Sequence, residues 1–211
     1  MISPSAQQAL SILRDPSHFQ WHVVPVFAIV VYLYFVEIEK RNWDAVCAGL
    51  AYYGIEWIGE YINSLWLHFS GYAPLWGEPG NSAYLILVGL NVETTLMFAI
   101  FGLAIAKLLP KDRKAKICGI PGRLAVVLGL SLFAAIVETT LNALGALTWD
   151  YSWWGWPNLL PVILFAYIPA CAFAVWVHDL QSRKARVGVL VGIYALDLVG
   201  WVVFVSGLRW I

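Results

Sequence analysis

Residues 123–148 read RLAVVLGLSLFAAIVETTLNALGALT, a run of 26 in which Arg123 and Glu138 are the only charged side chains. About 20 mostly apolar residues suffice to cross the hydrocarbon core as a helix. Lipid offers no partner for backbone N–H and C=O groups, so a crossing segment this long must pair them internally, as a helix does. Five further runs of this kind occur, approximately at 21–36, 45–69, 82–109, 156–177 and 186–208. The chain is therefore expected to be an all-α, polytopic integral membrane protein of about six transmembrane helices.

Composition agrees. Of 211 residues, 61% are hydrophobic and 12% charged, against about 45–50% and about 25% in soluble domains. Thirteen Lys and Arg balance thirteen Asp and Glu, leaving no basic excess for a nucleic-acid partner. Eleven of those thirteen basic residues fall in the loops after the first, third and fifth runs; Arg14 and Arg209 lie on the other side. By the positive-inside rule, both termini are then non-cytoplasmic. A multi-pass protein of a bacterial inner membrane or the endoplasmic reticulum is expected. Residues 1–20 read as an N-terminal interfacial segment, with Ala6, Ala9, Leu10 and Leu13 on one side of a short helix, and 21–211 as a single bundle domain. Cys47, Cys118 and Cys171 map to the cytoplasmic side, which argues against a disulfide framework. His18, His22, His68 and His178 sit at helix ends or outside, so no histidine metal centre and no cofactor is expected, although carboxylates alone can hold a divalent cation.

The carboxylates carry the functional signal. Glu56, Glu60, Glu93, Glu138 and Asp197 all fall near the middle of an apolar run, with no Lys, Arg or His at that depth. Such residues are costly at the bilayer centre and mark function by default. Tyr53, Glu56, Glu60 and Asn63 follow helical spacing on one face, as do Glu138, Asn142 and Trp149, and Tyr194, Asp197 and Trp201. Trp57, Asn91, Tyr151 and Trp154 complete the candidate substrate contacts. Interfacial Trp and Tyr also serve as anchoring belts, and one intramembrane Glu can be interhelical glue. Five acids without counter-charge are harder to explain in that way. Neutral carboxylic acids among Trp and Tyr suit protonation of an alkene or epoxide, because aromatic faces stabilise the resulting cation by about 0.5–2 kcal/mol per contact.

Two segments echo one another. Glu60-x-x-Asn63 precedes Tyr72-Ala-Pro-Leu-Trp76-Gly77-Glu78-Pro79, and Glu138-x-x-x-Asn142 precedes Tyr151-Ser-Trp-Trp154-Gly155-Trp-Pro157. Val-Glu-Thr-Thr-Leu occurs at 92–96 and again at 137–141. The pairs lack a common register, which points to local convergence rather than the duplicated half of a transporter.

The stretch Tyr52-Tyr53-Gly54-Ile55-Glu56-Trp57-Ile58-Gly59-Glu60-Tyr61 resembles the acid-bearing helix of the small membrane-bound terpene cyclases. Asp150-Tyr151-Ser152-Trp153-Trp154-Gly155 is similar to an aromatic loop of that family, and Asp197 to its second acid in place. The resemblance implies metal-independent, protonation-initiated cyclisation of a prenyl chain or epoxide. Glu60 or Glu56 with Asp197 would supply the proton. Glu93 and Glu138 would hydrogen-bond or deprotonate, and Tyr53, Trp57, Tyr194 and Trp201 would stabilise charge. Val92-Glu93-Thr94-Thr95 and Ile55-Glu56-Trp57 are also similar to acid motifs of the sterol isomerases, which set a His beside their acids where Tyr52 and Tyr53 stand here. The expected partner is a lipophilic small molecule. A proton-coupled transporter or a non-catalytic lipid-binding subunit are the rival expectations.

Overall fold

A computed structural model describes residues 1–80 and 82–211. Helix α1 (Pro4–Ile12) opens the chain, with Ser3 accepting the Ala6 N–H at 3.2 Å as its cap. Its small-residue face, Ala6 and Ala9, is turned to protein and packs on Leu67, Leu85 and Val88. Ser3 and Ser5 donate to Asp150 at 3.1 and 2.5 Å, tying the segment to a distant loop. Leu10, expected on the same side, is exposed.

Six long helical segments follow: α2 (Val23–Glu39), α3 (Trp43–Ser70), α4 (Val92–Leu108), α5 (Gly122–Ala143), α6 (Ile168–Asp179) and α7 (Arg183–Gly200). Residues Val162–Tyr167 lead into α6, and Trp201–Gly207 extend α7, both as π-helix. Pro169 has no N–H for a carbonyl in the preceding turn, and it is just before this proline that the first π segment winds. Among the described residues, three helical stretches are long and apolar enough to cross a membrane: Gly122–Ala143, Val162–Asp179 and Arg183–Gly207. Helices α2 and α4 have 17 residues each, and α3, at 28, contains Asp44, Glu56 and Glu60.

The third expected span is corrected. Helix α4 begins only at Val92; before it, β1 (Leu85–Leu87) and β2 (Leu90–Asn91) form an antiparallel hairpin. A buried apolar hairpin has the composition of a membrane span, and the break lies in the cap. Asn91 accepts the Thr94 N–H at 2.8 Å, which sets the start of the helix. A second short hairpin, β3 (Lys116–Ile117) with β4 (Ile120–Pro121), joins α4 to α5. Helix α5 stops short of the expected position 148. Gly145, at φ +75°, closes it while the Ala146 N–H donates to the Leu141 carbonyl at 2.9 Å.

Helix α3 is the centre of the bundle, packed against α2, α4, α6 and α7. Its contact with α4 is set by small residues. A Cβ placed on Gly102 would stand 2.6 Å from the Gly49 carbonyl oxygen and 2.9 Å from Tyr52 Cβ, so the two backbones touch there. Small residues allow this approach, which in a membrane replaces the missing hydrophobic drive with van der Waals contact. At the end opposite the aromatic loops, Tyr52, Ile105, Leu109, Val126, Val127 and Cys171 seal the bundle as one apolar cluster. Cys47, Cys118 and Cys171 are free thiols.

Candidate functional site

Towards the aromatic loops the helices separate. The half of α3 after Tyr52, the first half of α4, the second half of α5 and the π-helical segment before α6 enclose a cavity of about 670 Å³. Its wall is apolar and aromatic except for Thr94 and four acids. Glu56 and Glu60 come from α3, Glu138 from α5, and Glu78 from the loop between α3 and β1. Glu60 and Glu138 are buried, and Tyr52 and Tyr167 stand beside Glu56 and Glu138 respectively. Among the described residues, no three His, Cys, Asp or Glu side chains gather closely enough to hold a metal ion, so the acids are spread around the wall.

The loop over this cavity is built on Asn63. Its amide donates to the Trp76 carbonyl at 2.7 Å and accepts the Trp76 N–H at 3.1 Å. That clasp turns the Trp76 indole onto the acid, and Trp76 Nε1 donates to Glu60 Oε1 at 3.0 Å. Gly77 and Thr148 exchange both backbone hydrogen bonds, joining the two echoing segments. Trp76 and Trp154 stack over the cavity. Glu78 turns inward, where its carboxyl accepts from Thr94 Oγ1 at 2.6 Å and from the Asn91 N–H at 2.7 Å. Burial pushes Glu78 up to about 8, against the opposing pull of these two hydrogen bonds.

Four buried polar atoms of this wall have no partner among the described residues: Glu56 Oε1, Glu60 Oε2, Glu138 Oε2 and Trp154 Nε1. Each such atom costs about 1–3 kcal/mol, so native folds leave few of them. What sets this place apart is that these atoms face a cavity; a second group, Trp57 Nε1 and both Asp197 carboxyl oxygens, lies where α3 packs on α7.

Of the five acids expected to act together, the structure brings three to the cavity and leaves two elsewhere. Glu93 lies in the first turn of α4, because that helix starts ten residues later than expected. It accepts from the Ala83 N–H at 2.7 Å and pairs with His22 Nε2 at 2.8 Å, so it does have a histidine at its depth. Asp197 is buried where α7 packs on α3, on the far side of α3 from the cavity, and both its carboxyl oxygens lack a partner among the described residues. The Tyr61 hydroxyl there donates to the Asp197 backbone carbonyl at 3.0 Å.

The aromatic candidates divide similarly. Trp154 lines the cavity. Tyr53, Trp57 and Trp201 form a row between α3 and α7, with Trp57 and Trp201 centroids 6.4 Å apart, and Tyr194 donates to the Leu50 carbonyl. Tyr151 buttresses the loops, accepting from Trp66 Nε1 and donating to the Ala73 carbonyl, each at 3.0 Å. Trp149 packs flat on Gly155, Asn142 holds the Leu147 carbonyl, and Asn91 is a helix cap. Glu78, Trp76, Tyr52 and Tyr167 were absent from the sequence-derived set. Trp76 and Glu78 stood in the echoed Trp-Gly-x-Pro motif, which was the available signal.

A family model described as "Uncharacterized membrane protein family" matches residues 3–206. A relative from Archaeoglobus fulgidus, described as "Uncharacterized protein", is 45% identical over 211 residues and spans the whole of both chains. No solved structure matches. The chain belongs to this membrane protein family.

Proposed function

We propose that the protein is a membrane-embedded acid catalyst acting on an isoprenoid alkene or epoxide, with Glu60 as the proton donor. In this reading α2 to α7 are six spans, with both termini and the aromatic loops on the non-cytoplasmic side, where few basic residues lie. The observation that carries the reading is the set of acids, three with an unpartnered oxygen, around one aromatic-walled cavity.

The chemistry follows from the contacts. The Trp76 indole occupies Glu60 Oε1 as an acceptor, which leaves Oε2 to carry the proton of the neutral acid. Transfer of that proton to a substrate alkene forms a C–H bond and a tertiary cation, and leaves Glu60 as carboxylate. With an epoxide, the proton goes to oxygen and the C–O bond breaks. Trp76, Trp154 and Phe98 line the space in which the cation would form and offer π-faces to it. The cation closes a ring onto a second double bond, which moves the charge to a new carbon, or stays where it formed; in both cases the last cation loses a proton to Glu56 or Glu138. That loss gives a neutral product, and the cycle is completed when Glu56 or Glu138 gives up its proton to solvent and Glu60 takes a new one from it. An apolar wall excludes the water that would trap the cation.

Deuterium labelling tests this reading. The purified protein in lipid nanodiscs is incubated with prenyl alcohols, and with their terminal epoxides, in D2O. One deuterium per alkene-derived product is expected, with product lost in Glu60→Gln. Turnover in Glu60→Gln equal to wild type would overturn the donor assignment.

A further inference from the structure

The walls of the cavity form a ring in the order α3, α4, α5 and the π-helical segment, and two of its four edges are closed. Helices α3 and α4 stay packed at the depth of the cavity, where Phe98 and Trp57 lie against the Tyr61 cluster, and α5 packs along α6 and the π segment that leads into it. The other two edges are sealed only at the end away from the aromatic loops. There α4 meets α5 through Ile105, Leu109, Val126 and Val127, and α3 meets α6 through Ala51 and Val177. Nearer the loops these edges part, and residues that line the cavity also face outward. Met97 (46% exposed) and Phe133 (55%) do so at the α4–α5 edge; Ile62 (56%) and Phe165 (73%) do so where α3 faces the π segment. In a ring of four, these are opposite edges. The cavity is therefore a slot with two mouths between helices, the one beside Ile62 reaching up to Trp66 and the loop residue Trp153, which also line the cavity and are exposed.

The acids sit between the mouths. Glu56, Glu60 and Glu138 belong to walls on either side of the slot, so its reactive part is its middle and neither end is blind. A pocket that processes the terminus of a chain needs a closed end to hold that terminus. This one has none. Each wall between the mouths is about one helix thick, ~10–12 Å, so only a chain longer than that reaches lipid on both sides.

We propose that the slot takes the interior of a long, linear isoprenoid chain, both of whose ends lie in the bilayer through opposite mouths, and presents an internal double bond to Glu60. This deepens the reading of the site given above and rests on it for the chemistry alone; the threading itself is a matter of binding. Short prenyl alcohols would enter one mouth and leave the other empty.

A squalene-length hydrocarbon carrying a photoreactive diazirine at each end tests the threading, with a farnesyl-length chain carrying one diazirine as comparison. After irradiation in nanodiscs and proteolysis, the long probe is expected to link a peptide holding Met97 or Phe133 to one holding Ile62 or Phe165. Gly59 lines the slot with open space where its Cβ would stand, so Gly59→Trp fills the slot without a clash at the backbone. That variant, and Ala166→Phe on the opposite wall, should lose the link while each keeps its size-exclusion profile. Links that survive both plugs, two ends attached at one mouth, or no attachment of the long probe would each overturn the proposal. No turnover is needed, so the two readings fail separately. A link without deuterium incorporation removes the chemistry and keeps the slot; incorporation without a link does the reverse.

Discussion

Trp76 and Trp154 stack with ring centroids 6.0 Å apart and planes inclined by 19°. They are corresponding residues of the two Trp-Gly-x-Pro segments, and each follows a helix that sends a glutamate into the same cavity, Glu60 in one case and Glu138 in the other. The pairing is not symmetric. Trp76 donates to Glu60, whereas Trp154 Nε1 and Glu138 Oε2 both lack partners among the described residues. In the proposed mechanism the Trp76 contact would fix where the Glu60 proton sits, whereas the second half keeps a donor and an acceptor without partners among the described residues.

If Glu60 is the donor, Glu60→Gln should lower turnover by roughly 10²–10⁴, the usual worth of a positioned general acid. Trp76→Phe keeps the aromatic face but removes the indole N–H. It should lower turnover by less than Glu60→Gln, with the deuterium content of the remaining product unchanged.

Asp197 lies across α3 from the cavity. Asp197→Asn should therefore retain product formation under conditions where Glu60→Gln has none. Loss of product in Asp197→Asn, with the protein still monodisperse, would place the reactive site on the α7 face instead.

Asn63 is fully buried and makes two hydrogen bonds to the Trp76 backbone. Asn63→Leu should destabilise by about 1–3 kcal/mol, because the Trp76 N–H and C=O are left unpaired in a buried loop. Thermal unfolding in detergent measures it, and enhanced proteolysis between residues 72 and 80 should accompany it.

Gly102 touches the Gly49 carbonyl, with no room for a side chain. Gly102→Leu should push α3 from α4 and cost about 1–3 kcal/mol or more, as overpacking does. The loss should appear in Tm, and the milder Gly102→Ala should fall between it and wild type.

Glu78 supplies a pH dependence outside the spans. Its folded value, about 8, lies above the 4.5 of the free side chain because burial disfavours the carboxylate. The contribution is present in full below about 4.5, falls as pH rises towards about 8, and is gone above that. Stability of wild type relative to Glu78→Gln should therefore decline across this window and be flat beyond it. A difference that stayed constant from pH 4.5 to 8 would show that Glu78 titrates normally.

Much of this protein is legible along the chain. The apolar runs require helices because lipid cannot pair a backbone, and that reasoning needs no knowledge of neighbours. The placement of Glu56, Glu60 and Glu138 within such runs, and the recurrence of Trp-Gly-x-Pro, are also visible there. Spacing says which residues share a face of one helix, but not which helix that face meets. Tyr53 and Glu56 have helical spacing, yet packing turns Glu56 to the cavity and aligns Tyr53 with Trp57. Glu93 left the set because an apolar hairpin imitates a span until Asn91 is seen to cap the helix. Glu78 entered because a loop folded back between helices and buried it, and a loop's path is decided by its partners. The sequence alone determined that acids would lie within apolar runs; only the tertiary structure decided which of them face one another, because convergence depends on helix contacts that periodicity does not encode.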